Sequence, residues 1–237
     1  MTILLSSPFI LASASPRRQE LLRSVGLKFK TIPAHVNENY LAGESPLQHV
    51  KRLSSDKAMV IAVKYPEAWV LGADTIVVID GLILGKPSNK SQARKMLQKL
   101  SGREHKVFTG FTIAHIAAKI HQTKIIQSAV RFKTISPSEM EWHIACDEPY
   151  DKAGGYAVQG RGAYFIQSAV RLKTISPKEM DWYVSCDEPY DKAGGYAVQG
   201  KGAYFIQSIR GSYTNVIGLP LCEVLEALKK FGTINFR

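Results

Sequence analysis

A segment of forty residues occurs twice in succession in this chain. Residues 127–166 and 167–206 are identical at thirty-three of forty aligned positions, and the seven differences are mild. Any binding or catalytic group inside this segment is therefore present twice, and the fold must use one of the two copies. The differing pairs are Phe132/Leu172, Ser138/Lys178, Glu141/Asp181, His143/Tyr183, Ile144/Val184, Ala145/Ser185 and Arg161/Lys201.

The duplication does not predict a repeat architecture. Stacked repeats need about three or more units to cover their faces, whereas this chain has two, and the residues outside 127–206 do not share the pattern. The tripeptide Ile-Gln-Ser stands at each seam, so removal of either copy leaves a continuous chain of 197 residues. We therefore interpret residues 1–237 as a single domain that contains a recent tandem duplication.

Composition limits the classes of protein to consider. The net charge of +11 favours anionic ligands such as nucleotides, although it is also compatible with simple solubility. No RNP-like motif supports stable nucleic-acid binding. The cysteines show no Cys-x-x-Cys spacing, which favours a reducing compartment, and no apolar run is long enough for a membrane span. We therefore expect a cytoplasmic protein that makes no membrane contact.

Local signals indicate an α/β fold with a mixed sheet flanked by helices. Ser-Pro pairs open helices at residues 15, 45, 136 and 176, and the last three complete capping boxes with Gln48, Glu139 and Glu179. Ser88 opens a further helix, and Pro220–Lys230 forms the last one. The predicted strands are residues 3–12, 28–33, 69–79, 82–84, 107–117, 124–135 and 203–209.

The first candidate site is an anion site near the N-terminus. An apolar strand leads into the small-residue loop 12–15, which includes Ser13, and then into a helix start. Free backbone N–H groups and the helix dipole attract anions there. Arg17 and Arg18 lie in the first turn, where a bound anion would offset their repulsion by the dipole. The alternative is a pair of solvated arginines.

The second candidate is Asp74, the only acid within an apolar run before Asp80-Gly81. That dipeptide predicts a two-residue hairpin turn that pairs Ile79 with Leu82. Continued, the same register pairs Thr75 with Lys86 and places Lys86 diagonal to Asp74. An unpaired carboxylate is costly in such a strand. We therefore favour a functional role over a structural ion pair.

The duplicated segment carries a glycine-rich loop in each copy, at Asp151–Gly160 and Asp191–Gly200. Glycines permit close approach of the backbone to a ligand, although a plain glycine-rich turn is an equal alternative. The polar groups that could reach a ligand are Lys152 and Gln159 in copy one, and Lys192 and Gln199 in copy two.

Three other polar residues stand in weaker settings. Glu38 follows a predicted strand, and Lys57 lies at the apolar edge of a helix. His105 lies in the turn segment 101–110, and a histidine there is more often structural than catalytic.

Six segments together resemble the Maf family of nucleoside triphosphate pyrophosphatases. They are LASASPRRQELL, GADTIV, LGKP, SGREHKVFTG, DEPYDKAGGYAVQGKGAYF and GSYTNVIGLP, which follow in the family's order. The resemblance implies an elongated, inosine-triphosphatase-like α/β fold with a central cleft. It also implies hydrolysis of a nucleoside triphosphate to the monophosphate and pyrophosphate with Mg²⁺ or Mn²⁺. A homodimer is an open possibility.

The resemblance also implies roles for particular residues, with Asp74 as the general base. The implied catalytic residues are Glu38, Lys57, Asp74 and Lys86, and the implied metal ligands are Glu38 and Asp74. The implied substrate-binding residues are Ser13, Arg17, Arg18, Thr75, Lys152, Gln159, Lys192 and Gln199. Among these, Arg17, Thr75 and either Gln159 or Gln199 match the subtype that acts on dTTP and UTP, with modified pyrimidine nucleotides as a further substrate class.

Two further questions stay open at this point. We favour copy one for the strand after residue 126 and copy two for the loop 191–200 and the last strand; in the alternative register copy one supplies the loop. The rival function is a catalytically impaired, nucleotide-binding regulator of cell division. A basic nucleic-acid binder rests on net charge alone.

Overall fold

The structure is a computed structural model that describes residues 3–5, 7–24, 26–156, 170–172, 206–209 and 213–236. The helices are α1 (Pro16–Ser24), α2 (Pro46–Ala62), α3 (Lys90–Leu100), α4 (Pro137–Ile144), α5 (Tyr213–Ile217) and α6 (Leu221–Lys230). The strands are β1 (Ile3–Leu5), β2 (Phe9–Leu11), β3 (Lys30–Thr31), β4 (Trp69–Ile79), β5 (Leu82–Leu84), β6 (Glu104–His115), β7 (Ile120–Arg131), β8 (Val170–Leu172), β9 (Ile206–Ile209) and β10 (Ile234–Phe236). Among the described residues, no helix has the length and apolar character needed to cross a membrane.

The largest sheet is mixed, as predicted. Its strand order is β3-β2-β4-β6-β7, and β5 pairs with β4. β2 runs parallel to β3 and β4, whereas β4 and β5 are antiparallel. Two smaller sheets pair β1 with β10 and β8 with β9. The α/β class with a mixed sheet is therefore confirmed.

The strongest local signals predicted their elements most accurately. β4 and β5 begin and end at the predicted residues, and the turn pairs Ile79 with Leu82 as predicted. Asp80 and Gly81 have φ values of 51° and 75°, the positive values that a type I′ turn requires. The capping boxes at Ser45 and Ser136 are both present, whereas the predicted helix at residue 176 lies outside the described residues.

Other boundaries were wrong for identifiable reasons. The predicted strand 3–12 is two strands with different partners, separated by a segment that contains Pro8, which has no N–H to donate. Helix α3 is capped by Asn89, which accepts from Gln92 N, instead of Ser88. β6 and β7 begin three and four residues earlier than predicted. Strand β10 and helix α5 were missed because three to five residues give no usable periodicity.

The chain divides into two compact units. The first comprises Met1–Thr75, Phe108–Gln127 and Thr214–Arg237, and the second comprises Ile76–Val107 and Ser128–Tyr213. The single domain expected for residues 1–237 stays a prediction.

In the second unit, copy one supplies the described start of the glycine-rich loop. Two short 3-10 turns, Glu148–Asp151 and Ala153–Gly155, follow α4. Gly154 N donates to Gly85 O at 3.0 Å, which fastens this segment beside β5. The loop 191–200 of copy two lies outside the described part of the chain. The expectation that copy two supplies the loop therefore stays a prediction.

A buried cluster of rings continues this attachment. Tyr156 packs edge-on against Phe132 and His105, and its hydroxyl is hydrogen-bonded to His105 Nε2. His143, also buried, places Nε2 2.8 Å from Gly155 O. His105 is therefore a structural hydrogen-bonding residue, as expected for a histidine in the turn segment 101–110.

The stability of the chain should decrease between about pH 6.5 and pH 4 because of His105. Burial lowers the pKa of His105 to about 4, whereas a histidine in an unfolded chain has a pKa of about 6.5. Between these values the unfolded chain binds a proton that the folded chain does not, so the free energy of unfolding decreases as the pH falls. Unfolding midpoints measured from pH 7 to pH 4 should show this slope. The variant His105→Gln should flatten it, and an unchanged slope would contradict this assignment.

Candidate active site

Helix α2 approaches the sheet closely at two glycines. A Cβ atom on Gly72 would lie 2.5 Å from Ala58 N, and a Cβ atom on Gly110 would also meet backbone of α2 at 2.5 Å. No side chain fits at such distances, so both positions require glycine. Lys57 precedes Ala58, and Asp74 follows Gly72 by two residues on the same face of β4. The close approach of α2 therefore brings Lys57 to Asp74.

Lys57 connects the two predicted carboxylates. Its Nζ lies 2.7 Å from Asp74 Oδ1 and 2.7 Å from Glu38 Oε1. The side chains of Lys57 and Asp74 are only 10% and 11% exposed, whereas that of Glu38 is 58% exposed. Two oxygen atoms at this distance from one nitrogen can be no farther apart than twice that distance. Glu38 and Asp74 therefore converge on one cationic group, although sequence reasoning found Glu38 and Lys57 only in weak settings.

Arg18 is buried and joins three segments of the first unit. Its Nε donates to Gly218 O at 2.8 Å, Nη1 donates to Ser13 Oγ at 3.0 Å, and Nη2 donates to Thr75 Oγ1 at 3.2 Å. Burial lowers the pKa of Arg18, and the nearby charge of Asp74 opposes that effect. Arg18 thus fixes the predicted phosphate loop and Thr75 relative to each other.

The segment just before helix α6 also makes hydrogen bonds to Arg18, Thr75 and Thr109. The sequence analysis assigned no role to this segment. Thr75 Oγ1 lies 2.9 Å from Thr109 Oγ1, which donates to Asn215 O at 3.0 Å. Gly218 has a φ of 126°, a value that favours glycine. The local signal that could have indicated this segment is Gly218, which stands between Ile217 and the pair Leu219-Pro220.

The remaining predicted residues are three that the structure describes, Arg17, Lys86 and Lys152, and three that lie outside the described part of the chain. Arg17 is half-buried in the first turn of α1. Lys86 is exposed just after β5 in the second unit, and the β4–β5 pairs end at Val77–Leu84, short of the predicted pair with Thr75. Lys152 is half-buried in the second unit. The residues outside the described part are Gln159, Lys192 and Gln199.

A pocket of about 450 Å³ lies in the first unit beside the loop that precedes α2. No predicted site residue lines it. The lining residues are Val36, Asn37, Asn39, Leu41, Arg52, Asp56, Met59 and Val60.

Curated relatives match this chain over nearly its whole length. The dTTP/UTP pyrophosphatase of Syntrophus aciditrophicus (strain SB) is 48% identical over 233 residues, which covers 98% of this chain and 94% of that protein. The dTTP/UTP pyrophosphatase of Citrifermentans bemidjiense is 40% identical and covers 97% and 98% of the two chains. The dTTP/UTP pyrophosphatase of Clostridioides difficile (strain 630) is 37% identical and covers 95% and 96%.

Among solved structures, the Ham1 protein of Staphylococcus aureus is similar with a TM-score of 0.43 and 15% identity. The match covers 95% of this chain and 99% of that one.

The family profile described as Maf-like protein matches residues 8–170 and again residues 166–231. The two matches meet at the seam between the copies, so the residues of both copies fit the profile. Given a profile match over most of its residues and a relative 48% identical across 98% of its length, the chain belongs to the Maf-like protein family.

Proposed function

We propose that this chain hydrolyses dTTP and UTP to the nucleoside monophosphate and pyrophosphate. The observation that carries the proposal is the contact of Lys57 Nζ with both Asp74 and Glu38 at 2.7 Å, with the buried Arg18 hydrogen-bonded to the neighbouring Thr75. Relatives named dTTP/UTP pyrophosphatase, 37–48% identical to this chain, support the substrate class.

Asp74 would act as the base in this reaction. Lys57 donates to its Oδ1, and a carboxylate has a second oxygen that can accept a proton from water as that water attacks phosphorus. General base catalysis of this kind contributes about 10²–10⁴-fold to a rate. The low exposure of Asp74 strengthens its interaction with Lys57, because charges interact more strongly where water is excluded.

The two carboxylates fit a hard divalent cation. Mg²⁺ is usually held by one or two carboxylates together with substrate phosphate oxygens and water, and Glu38 and Asp74 converge on the position of a single ammonium group. Within the described part of the chain, no group of three or more His, Cys, Asp or Glu side chains could hold a metal by itself, so the substrate would supply further ligands. Held by these carboxylates and by substrate phosphate oxygens, Mg²⁺ or Mn²⁺ would neutralise charge on the phosphate oxygens.

Cationic side chains and the loop of residues 12–15 would bind the phosphate charge that the metal ion does not neutralise. Arg17 lies in the first turn of α1, where backbone N–H groups favour anions. Lys57 places its positive charge in contact with the two carboxylates. The roles of Lys86, and of Lys152 and Gln159 or their copy-two equivalents, stay predictions.

We further propose that the protein acts in the cytoplasm. Cys146 and Cys222 are free thiols in the described structure, which suits a reducing compartment.

Pyrophosphate release from UTP, dTTP, CTP, ATP and GTP with Mn²⁺ tests the proposed activity. We expect the values of kcat/KM for dTTP and UTP to exceed those for the other nucleotides by at least about tenfold, a ratio that differential binding can supply. Calorimetric binding of the same nucleotides in parallel identifies the rival function. Tight binding without turnover would contradict the proposal and support a catalytically impaired regulator.

A further inference from the structure

The loop that carries Glu38 has no regular structure of its own. Residues 32–45, between β3 and α2, form neither a helix nor a strand. The Glu38 side chain is more than half exposed, yet its carboxylate lies 2.7 Å from the nearly buried Lys57. An exposed side chain on an irregular loop keeps a defined position only if other contacts hold the loop.

Glu44, near the end of the loop, provides the first such contact. Its Oε1 accepts from Arg52 Nε at 2.7 Å, and its Oε2 accepts from Arg52 Nη2 at 2.9 Å. His49 Nδ1 lies 2.8 Å from Oε2. The side chain of Glu44 is only 7% exposed, and paired Arg–carboxylate bonds fix orientation as well as distance. The hydrogen bond from Arg52 lowers the pKa of Glu44 to about 2, so the pair is fully ionised at neutral pH.

Two more contacts hold the middle of the loop. Arg52 Nη2 donates to Asn39 O at 3.0 Å, and Asn39 is the residue after Glu38. The ring of Tyr40 stacks on that of His49, with 4.6 Å between the ring centres and 25° between the planes. The loop is therefore fastened to α2 on both sides of residues 41–43.

Residues of a single helix, α2, make all of these contacts. His49 and Arg52 lie on α2, and Lys57 lies on the same helix five residues after Arg52. The helix thus holds the loop and also presents the ammonium group that contacts Glu38 and Asp74. A displacement of the loop on α2 would change the distance between Glu38 and Asp74.

We propose that Arg52 and Glu44 are positioning residues, which clamp the loop onto α2 and so place the Glu38 carboxylate opposite Asp74. The inference rests on the proposed function for the role of Glu38 and concerns two residues with no contact to the Lys57 ammonium. An exposed ion pair would contribute little, but this pair is bidentate and Glu44 is nearly buried.

A double-mutant cycle tests the inference through catalysis. The variant Arg52→Met should lower kcat/KM by about tenfold, because small displacements of a catalytic group have effects of this size or larger. In a Glu38→Gln background the same substitution should have less than about a twofold effect, because residues that act through one another are not additive. Arg94→Met is the matched control: it removes an exposed contact with Glu141 and should leave kcat/KM unchanged.

Hydrogen exchange tests the clamp without metal, substrate or turnover. In both Arg52→Met and Glu44→Gln, the amides of residues 37–44 should exchange faster, while those of β6 should exchange as in the wild type. Glu44→Gln keeps the shape of the buried side chain. This variant replaces Arg52→Met in the experiment if Arg52→Met folds poorly. Unchanged exchange in residues 37–44 would overturn the inference, as would an equal loss of kcat/KM in both backgrounds. A Glu38→Gln variant with full activity would overturn the role of Glu38 in the proposed function and this inference together.

Discussion

Replacement of Asp74 by asparagine should lower kcat by about 10²–10⁴-fold, the range that a general base contributes. Asparagine keeps the volume of the side chain but cannot accept a proton from water at neutral pH. The chain should stay folded, because Lys57 keeps Glu38 as a partner at 2.7 Å and its ammonium group is not left alone. Pyrophosphate release at saturating dTTP measures the loss, and thermal unfolding checks the fold.

The same hairpin offers a matched control for this substitution. Asp80 lies in the turn at the end of β4, is exposed, and pairs with Arg103 at 2.6 Å. Asparagine tolerates the positive φ of this position, so Asp80→Asn should leave kcat unchanged. If Asp74→Asn kept a kcat close to that of the wild type, Asp74 would not be the base.

The parts of this site that could be predicted from sequence are those with a local signal. A single acid in an apolar strand identified Asp74, and Asp80-Gly81 fixed the hairpin register because such a turn admits few alternatives. The capping boxes placed the starts of α2 and α4 for the same reason. Each of these signals lies within a few residues of the element that it specifies.

The parts that escaped prediction depend on contacts distant in sequence. Lys57 reaches Asp74 because α2 packs against Gly72 and Gly110, and no local pattern at Lys57 encodes that approach. Gly218 accepts from Arg18, two hundred residues away. The contact of His105 with Tyr156 is of the same kind, because fifty-one residues separate them.

Deletion of residues 167–206 should give a more stable chain than deletion of residues 127–166, by about 3–5 kcal/mol in the free energy of unfolding. Both products have 197 residues and differ only at the seven unlike positions, so they form a matched pair. The larger contributions should come from the differing positions that are buried in copy one. These pairs are Phe132/Leu172, His143/Tyr183 and Ile144/Val184.

Each of these copy-two residues would lower the free energy of unfolding if it occupied the buried position of its copy-one equivalent. Phe132 is fully buried against His105 and Tyr156, so a leucine there leaves space unfilled, at about 1 kcal/mol. His143 is fully buried, so a tyrosine must displace its neighbours and loses the bond to Gly155 O, at about 1–3 kcal/mol. The loss of one methylene group at Ile144 adds about 1 kcal/mol.

Denaturant unfolding of the two deletion products measures the difference, and a rescue experiment assigns it. Leu172→Phe with Tyr183→His, introduced into the chain that lacks residues 127–166, should recover most of the lost stability. Lys178→Ser with Ser185→Ala changes two positions whose copy-one equivalents, Ser138 and Ala145, are exposed, so this pair should recover none. The chain that lacks residues 167–206 should also keep its pyrophosphatase activity, because the loop start that is hydrogen-bonded to Gly85 and packs against His105 comes from copy one. If that chain failed to fold, the second copy would be a necessary part of the structure and not a redundant one.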